Sequence, residues 1–135
     1  MADLNTTIAG VRVSFFTHND NKDHDTSVSV LMQNRLNIFL IQDLARLENF
    51  AGNTEFGDNP PSTHAFDLEL ASNDIRLSQL TVPTFRIQIA PVGHDRWIFD
   101  VTFTIIASDG SQFSSTNFGI ILDQDNRVYN GTFGQ

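Results

Sequence analysis

The run RWIFDVTFTII at residues 96–106 constrains the fold of this chain more than any other stretch. Trp97, Phe99, Val101, Phe103 and Ile105 share one parity, while Ile98, Asp100, Thr102 and Thr104 take the other. A period of two places the first set on one face of an extended strand, and so many large apolar groups on one face must be covered. The same alternation recurs at Val11, Val13 and Phe15, and at Val28, Val30 and Met32. It appears again in AFDLEL at 65–70 and in TFRIQIAP at 84–91. NFGIILDQ at 117–124 reads as a further strand, and RVYNGTF at 127–133 carries Asn130-Gly131, a hairpin-turn signal.

Strands with one apolar face each, separated by turn clusters, predict an all-β antiparallel sandwich of about eight strands, because two such sheets can bury each other. At most one short helix is expected. In NIFLIQDLARLENFAGN, residues 37–53, the apolar positions Ile38, Ile41, Leu44, Ala45, Leu47 and Phe50 follow roughly helical spacing, with Gly52 as a stop. Residues 37–41 read equally well as a strand. The Gly-, Asn- and Pro-rich stretch 52–64 is too polar for core and too short to link domains, and the 135 residues fit one domain spanning 1–135. Twelve Phe, against one Trp and one Tyr, make Phe the main core filler.

Charge narrows the choice of partners. Sixteen acids against eight bases leave a formal −8, and Lys22 is the only lysine. That balance opposes nucleic acid, whose binding relies on clustered Lys and Arg, and opposes plain electrostatic adhesion to anionic lipid. A bound divalent ion would invert the local field. No cysteine is present, so disulfides and thiolate chemistry are excluded and the redox compartment is not legible. The first residues lack the basic and apolar regions of a signal peptide, and no apolar run approaches the ~18 residues of a transmembrane helix. An intracellular protein and a secreted one expressed without its signal both fit. Asn5-Thr6-Thr7 and Asn130-Gly131-Thr132 match the glycosylation pattern, which matters only in a eukaryotic secretory context.

The connection FTHNDNKDHDT at 16–26 crowds Asn19, Asp20, Asn21, Asp23 and Asp25 between two strands. Carboxylates so close repel one another, and solvent, backbone amides or a cation must relieve the repulsion. Alternating oxygen donors suit calcium, which takes roughly 6–8 oxygen ligands in flexible geometry. The pattern is not an EF-hand: the loop glycine and the closing Glu are missing, and strands flank it. Further oxygens must come from other connections, with Asp95, Asp109, Asp123 and Asp125 as candidates. The competing reading is a solvated turn built by Asp and Asn through their own backbone. Zinc fits less well, because His18 and His24 stand alone without cysteine, and His64 and His94 are remote in sequence.

Enzyme signatures are missing: there is no GxSxG elbow, Walker loop or HExxH, so a non-enzymatic protein is expected. Trp97 shares its parity with Phe99 and is expected in the core; an exposed Trp97 would be a platform for sugar or lipid. One of Phe15 and Phe16 must face outward.

Residues 11–30, VRVSFFTHNDNKDHDTSVSV, together with residues 85–105, FRIQIAPVGHDRWIFDVTFTI, resemble the PLAT domain of lipoxygenases, polycystins and lipid-active bacterial toxins. Thr17, Asp20, Asp25, Thr26 and Val28 fall near that family's loop pattern. Arg86, Ile87, Asp95 and Trp97 fall near its second pattern, so the likeness covers about a third of the chain. The resemblance implies an eight-stranded sandwich that holds calcium at loop ends and docks to a lipid surface or a protein partner. On that basis Asn19, Asp20, Asn21, Asp23, Asp25 and Asp95 are the expected metal ligands, and Phe16, His94 and Arg96 the expected partner-binding residues. Two alternatives stay open: a carbohydrate-binding module with structural calcium and exposed aromatics, and an ion-free structural or interaction protein kept soluble by its acidity.

Overall fold

The computed structural model describes residues 6–20, 27–35, 40–50, 62–72, 74–90 and 96–133, with backbone alone at 18–20, 49, 50 and 62. Eight strands carry the chain: β1 (Ile8–Asp20), β2 (Ser27–Arg35), β3 (Ile41–Phe50), β4 (Ser62–Leu70), β5 (Pro83–Ala90), β6 (Arg96–Ala107), β7 (Gln112–Asp123) and β8 (Val128–Thr132). All pairings are antiparallel, in the order β7-β6-β1-β4-β3-β2-β5-β8. Two four-stranded halves, β7-β6-β1-β4 and β3-β2-β5-β8, are joined in the sheet, among the described residues, by two residue pairs, Ala45↔Leu70 and Arg46↔Glu69. The sheet folds over at that narrow join, and the far edges approach closely enough for Asn117 Nδ2 to donate to the Tyr129 hydroxyl at 2.9 Å. The result is a sandwich that nearly closes into a barrel.

The alternating residues face inward as their parity requires. Val11, Val13, Phe15, Val28, Val30, Met32, Ile87, Phe99, Val101, Phe103 and Ile105 are all buried in one core. Removing each from water contributes about 1.5–3 kcal/mol. Phe15 is buried, and Phe16, one step along the strand, is 39% exposed on the outer face. Trp97 enters the core completely.

Two expectations are overturned. The interval 41–50 is strand, not helix, and the helix-like spacing has a cause in the register. Met32 pairs with Ala45 but Gln33 pairs with Asp43, so Leu44 is an extra residue on β3; a second shift separates Val28↔Phe50 from Val30↔Leu47. Each bulge resets the parity, so Leu44 and Ala45 are both buried and apolar positions fall three apart without a helix. Among the described residues the only helical element is the three-residue 3-10 turn Leu77–Gln79.

Asn130-Gly131 makes no hairpin turn either. Both residues lie inside β8, opposite Arg86 and Phe85. Glycine is required there for packing: a Cβ on Gly131 would lie 2.4 Å from Phe85 Cζ, and that ring is 2% exposed and 4.2 Å centroid to centroid from Phe103. The ring has little room to retreat. Gly131→Ala is expected to cost about 1–3 kcal/mol by overpacking, seen as a lower urea midpoint, and Phe85→Leu in the same chain should return part of it. An unchanged midpoint in Gly131→Ala would mean the ring yields freely.

The far edge carries a further bulge. Phe99 pairs with Ile120 and Val101 with Asn117, which leaves Asp100 opposite two residues of β7. Gly119 takes the left-handed φ of 67°, and its N–H donates to Asp100 Oδ1 at 2.8 Å. Phe118 is thrown outward and is 77% exposed.

Candidate functional site

Antiparallel pairing sorts the connections between strands to two ends of the sandwich. β1, β3, β5 and β7 finish at one end, where β2, β4, β6 and β8 begin. The connections spanning 21–26, 51–61, 91–95 and 124–127 all leave and return there. Register fixes the level: Thr17 pairs with Ser62, Asp20 with Ile98, Ser27 with Ala90, and Arg96 with Asp123.

This end gathers the acid. The first connection brings Asp20, Asp23 and Asp25, the second Glu55 and Asp58, the third Asp95, and the fourth Asp123 and Asp125. Eight of the sixteen carboxylates thus belong to one end, against three bases, Lys22, Arg96 and Arg127. Like charges at ~6 Å repel by roughly 3 kcal/mol per pair at the effective dielectric near a protein surface, so such an end favours a cation. Glu55 and Asp58 are invisible to local sequence reading, because nothing near them marks them as neighbours of Asp23 or Asp95.

Of the sequence-derived residues, Asn19 and Asp20 occupy the last two positions of β1, and their side chains lie outside the described residues. Asn21, Asp23, Asp25, His94 and Asp95 also lie outside them. Arg96 is exposed at the first position of β6. Phe16 faces outward on β1 opposite Asp100 and Thr63, four residues before that strand ends. Asp123 is partly spent on its own turn: its Oδ1 accepts the backbone N–H groups of Asp125 and Asn126, each at 2.8 Å. Asp109 belongs to the opposite end, in the β6–β7 turn, where its Oδ1 accepts the Ser111 N–H at 2.9 Å. As a ligand for an ion among the other acids it is ruled out by position.

Beneath the acidic end the strands are held rigidly. Thr17 and Trp97 are fully buried, and the Trp97 indole N–H donates to Thr17 Oγ1 at 2.8 Å. The indole stacks on Phe99 at 3.8 Å and 21° and lies 5.1 Å from Phe15. This cluster ties the exit of β1 to the entry of β6. No signal in the sequence pairs Thr17 with Trp97 beyond their shared inward parity.

Among the described residues no group of three or more His, Asp or Glu side chains is placed to hold a metal ion. No helix among the described residues is long and apolar enough to cross a membrane. No protein-family model, no curated protein and no solved structure matches this chain.

Proposed function

We propose that this protein is a non-enzymatic, calcium-binding β-sandwich module whose acidic end, once ordered by the ion, docks to a lipid surface or a protein partner. The supporting observation is the gathering of eight carboxylates and only three bases at one end by strand topology alone. The donor chemistry fits a hard cation: carboxylate and amide oxygens of Asn19, Asp20, Asn21, Asp23, Asp25 and Asp95 are the kind calcium prefers, and no thiolate competes. Calcium supplies positive charge there, which lets an acidic end approach an anionic headgroup or an acidic protein surface. Phe16 offers a half-exposed ring on the adjoining face, His94 an imidazole in the connection before β6, and Arg96 a guanidinium at that strand's start. The carbohydrate alternative, with aromatic stacking on sugar, finds no platform in Trp97, which is fully buried.

Thermal melting in calcium against EDTA is the test. An ion that binds only the folded chain stabilises it by about 2.7 kcal/mol at a hundredfold excess over Kd. The expected result is a rise in Tm with calcium that vanishes in Asp23→Asn/Asp25→Asn while the EDTA melt is unchanged. Sedimentation with phosphatidylserine vesicles should then require calcium. A Tm indifferent to millimolar calcium leaves the ion-free structural reading in place, and an unchanged shift in the double variant moves the ligands elsewhere.

A further inference from the structure

Arg86 stands near the middle of the outer face of the β3-β2-β5-β8 half, flanked in register by Leu31 on β2 and Asn130 on β8. It lines a shallow depression of about 300 Å³ with Arg35, Gln33, Thr84, Asn130 and Thr132. A second depression of about 230 Å³ adjoins it, shares Arg86, and adds Ser29, Gln88 and Glu48. Both arginines are exposed, and among the described residues neither is in an ion pair. The carboxylates on the neighbouring strand are otherwise engaged: Asp43 accepts from Gln33 Nε2 at 2.8 Å, and Glu48 lies 3.9 Å from Arg46 Nη1. In a chain of net charge −8, two guanidinium groups that make no ion pair among the described residues share one depression and form a local cationic site.

The chemistry of this face selects its ligand. β2 and β5 are interior strands, hydrogen-bonded on both sides, so no backbone groups remain to grip a peptide by strand addition. Recognition has to come from side chains. Gln88 and Asn130 carry amides that both donate and accept, and Thr84 and Thr132 carry hydroxyls that do the same, which matches the hydroxyls of a sugar. Arg35 and Arg86 are fork-shaped donors that match carboxylates. We propose that this face binds a short acidic oligosaccharide built of uronic acids, its carboxylates on Arg86 and Arg35 and its ring hydroxyls on the flanking amides and hydroxyls. The site is separate from the acidic end and needs no calcium.

Titration calorimetry with trigalacturonate in EDTA tests it, using the intact protein. The expected result is saturable binding that weakens at least about tenfold for the fully methyl-esterified trisaccharide, which keeps the shape and loses the charge. Arg86→Gln and Arg35→Gln should each weaken binding at least about tenfold, the scale of one charge-assisted hydrogen bond. Both sites are exposed, so the melts of these variants should stay near the parent's. Asp23→Asn/Asp25→Asn should bind as the parent does. No binding at millimolar trigalacturonate, equal binding of the methyl ester, or equal binding by Arg86→Gln would each overturn the assignment. Tighter binding of triglutamate than of trigalacturonate would overturn it in favour of an acidic peptide. Because EDTA is present throughout, failure here leaves the calcium reading standing, and the calcium melts do not bear on this face.

Discussion

Trp97→Ala is expected to lower the unfolding free energy by about 4 kcal/mol, a large part of the ~5–15 kcal/mol that holds a domain of this size. The ring is fully buried, stacks on Phe99 at 3.8 Å and lies 5.1 Å from Phe15, so truncation opens a void between three aromatic residues. It also strands the Thr17 hydroxyl, which accepts the indole N–H at 2.8 Å where neither group reaches water. Thr17→Val alone leaves the indole N–H without its acceptor and should cost about 1–3 kcal/mol. Trp97→Phe combined with Thr17→Val removes both polar partners and should be less destabilised than the two single changes added together. Urea melts read all four. Trp97 is the only tryptophan, so its fluorescence also reports the site directly and should be blue-shifted in the native state. A loss below ~1 kcal/mol in Trp97→Ala would contradict the packing described.

Asn34→Ala is expected to cost about 1–3 kcal/mol through polar groups rather than volume. Asn34 is fully buried near the end of β2, yet its side-chain hydrogen bonds go to the crossover between β4 and β5. Its Oδ1 accepts from the Thr81 N–H at 2.8 Å and the Val82 N–H at 3.1 Å, and its Nδ2 donates to the Gln79 carbonyl at 2.9 Å. One side chain thus satisfies three backbone groups of a segment that passes from one half of the sandwich to the other. Gln79, Thr81 and Val82 are themselves exposed, so without Asn34 water replaces part of what those groups lose. Native-state hydrogen exchange should show faster exchange at Thr81 and Val82 first, with the amides of β1 and β6 protected as before. Equal exchange at both places in Asn34→Ala would mean that the residue does not anchor the crossover.

The β-rich character was legible because Trp97, Phe99, Val101, Phe103 and Ile105 alternate without interruption, and β6 obeys that alternation except at Ile98, which is buried too. β3 was illegible for a matching reason. Its two bulges shift parity twice, so Leu44, Ala45 and Leu47 fall on a helix-like rhythm although the backbone is extended. Asn130-Gly131 misled because a glycine that favours tight turns is also the only residue small enough to sit under the Phe85 ring. At the acidic end the sequence showed the crowding of residues 19–25 plainly. It did not show that residues 51–61, 91–95 and 124–127 share that end, nor that Asp109 lies at the other.

The amino-acid order by itself determined which side of most strands is buried, the excess of acid, and the absence of thiol chemistry, because these depend on side-chain identity and local period alone. Tertiary structure decided the strand order, the end to which each connection returns, and the meeting of Arg35 and Arg86 in one depression. Backbone hydrogen bonds between strands are blind to residue type, so an apolar face specifies that a strand must be covered without specifying its neighbour. That choice rests on how all eight faces pack at once, and the positions of charge at the ends follow from it.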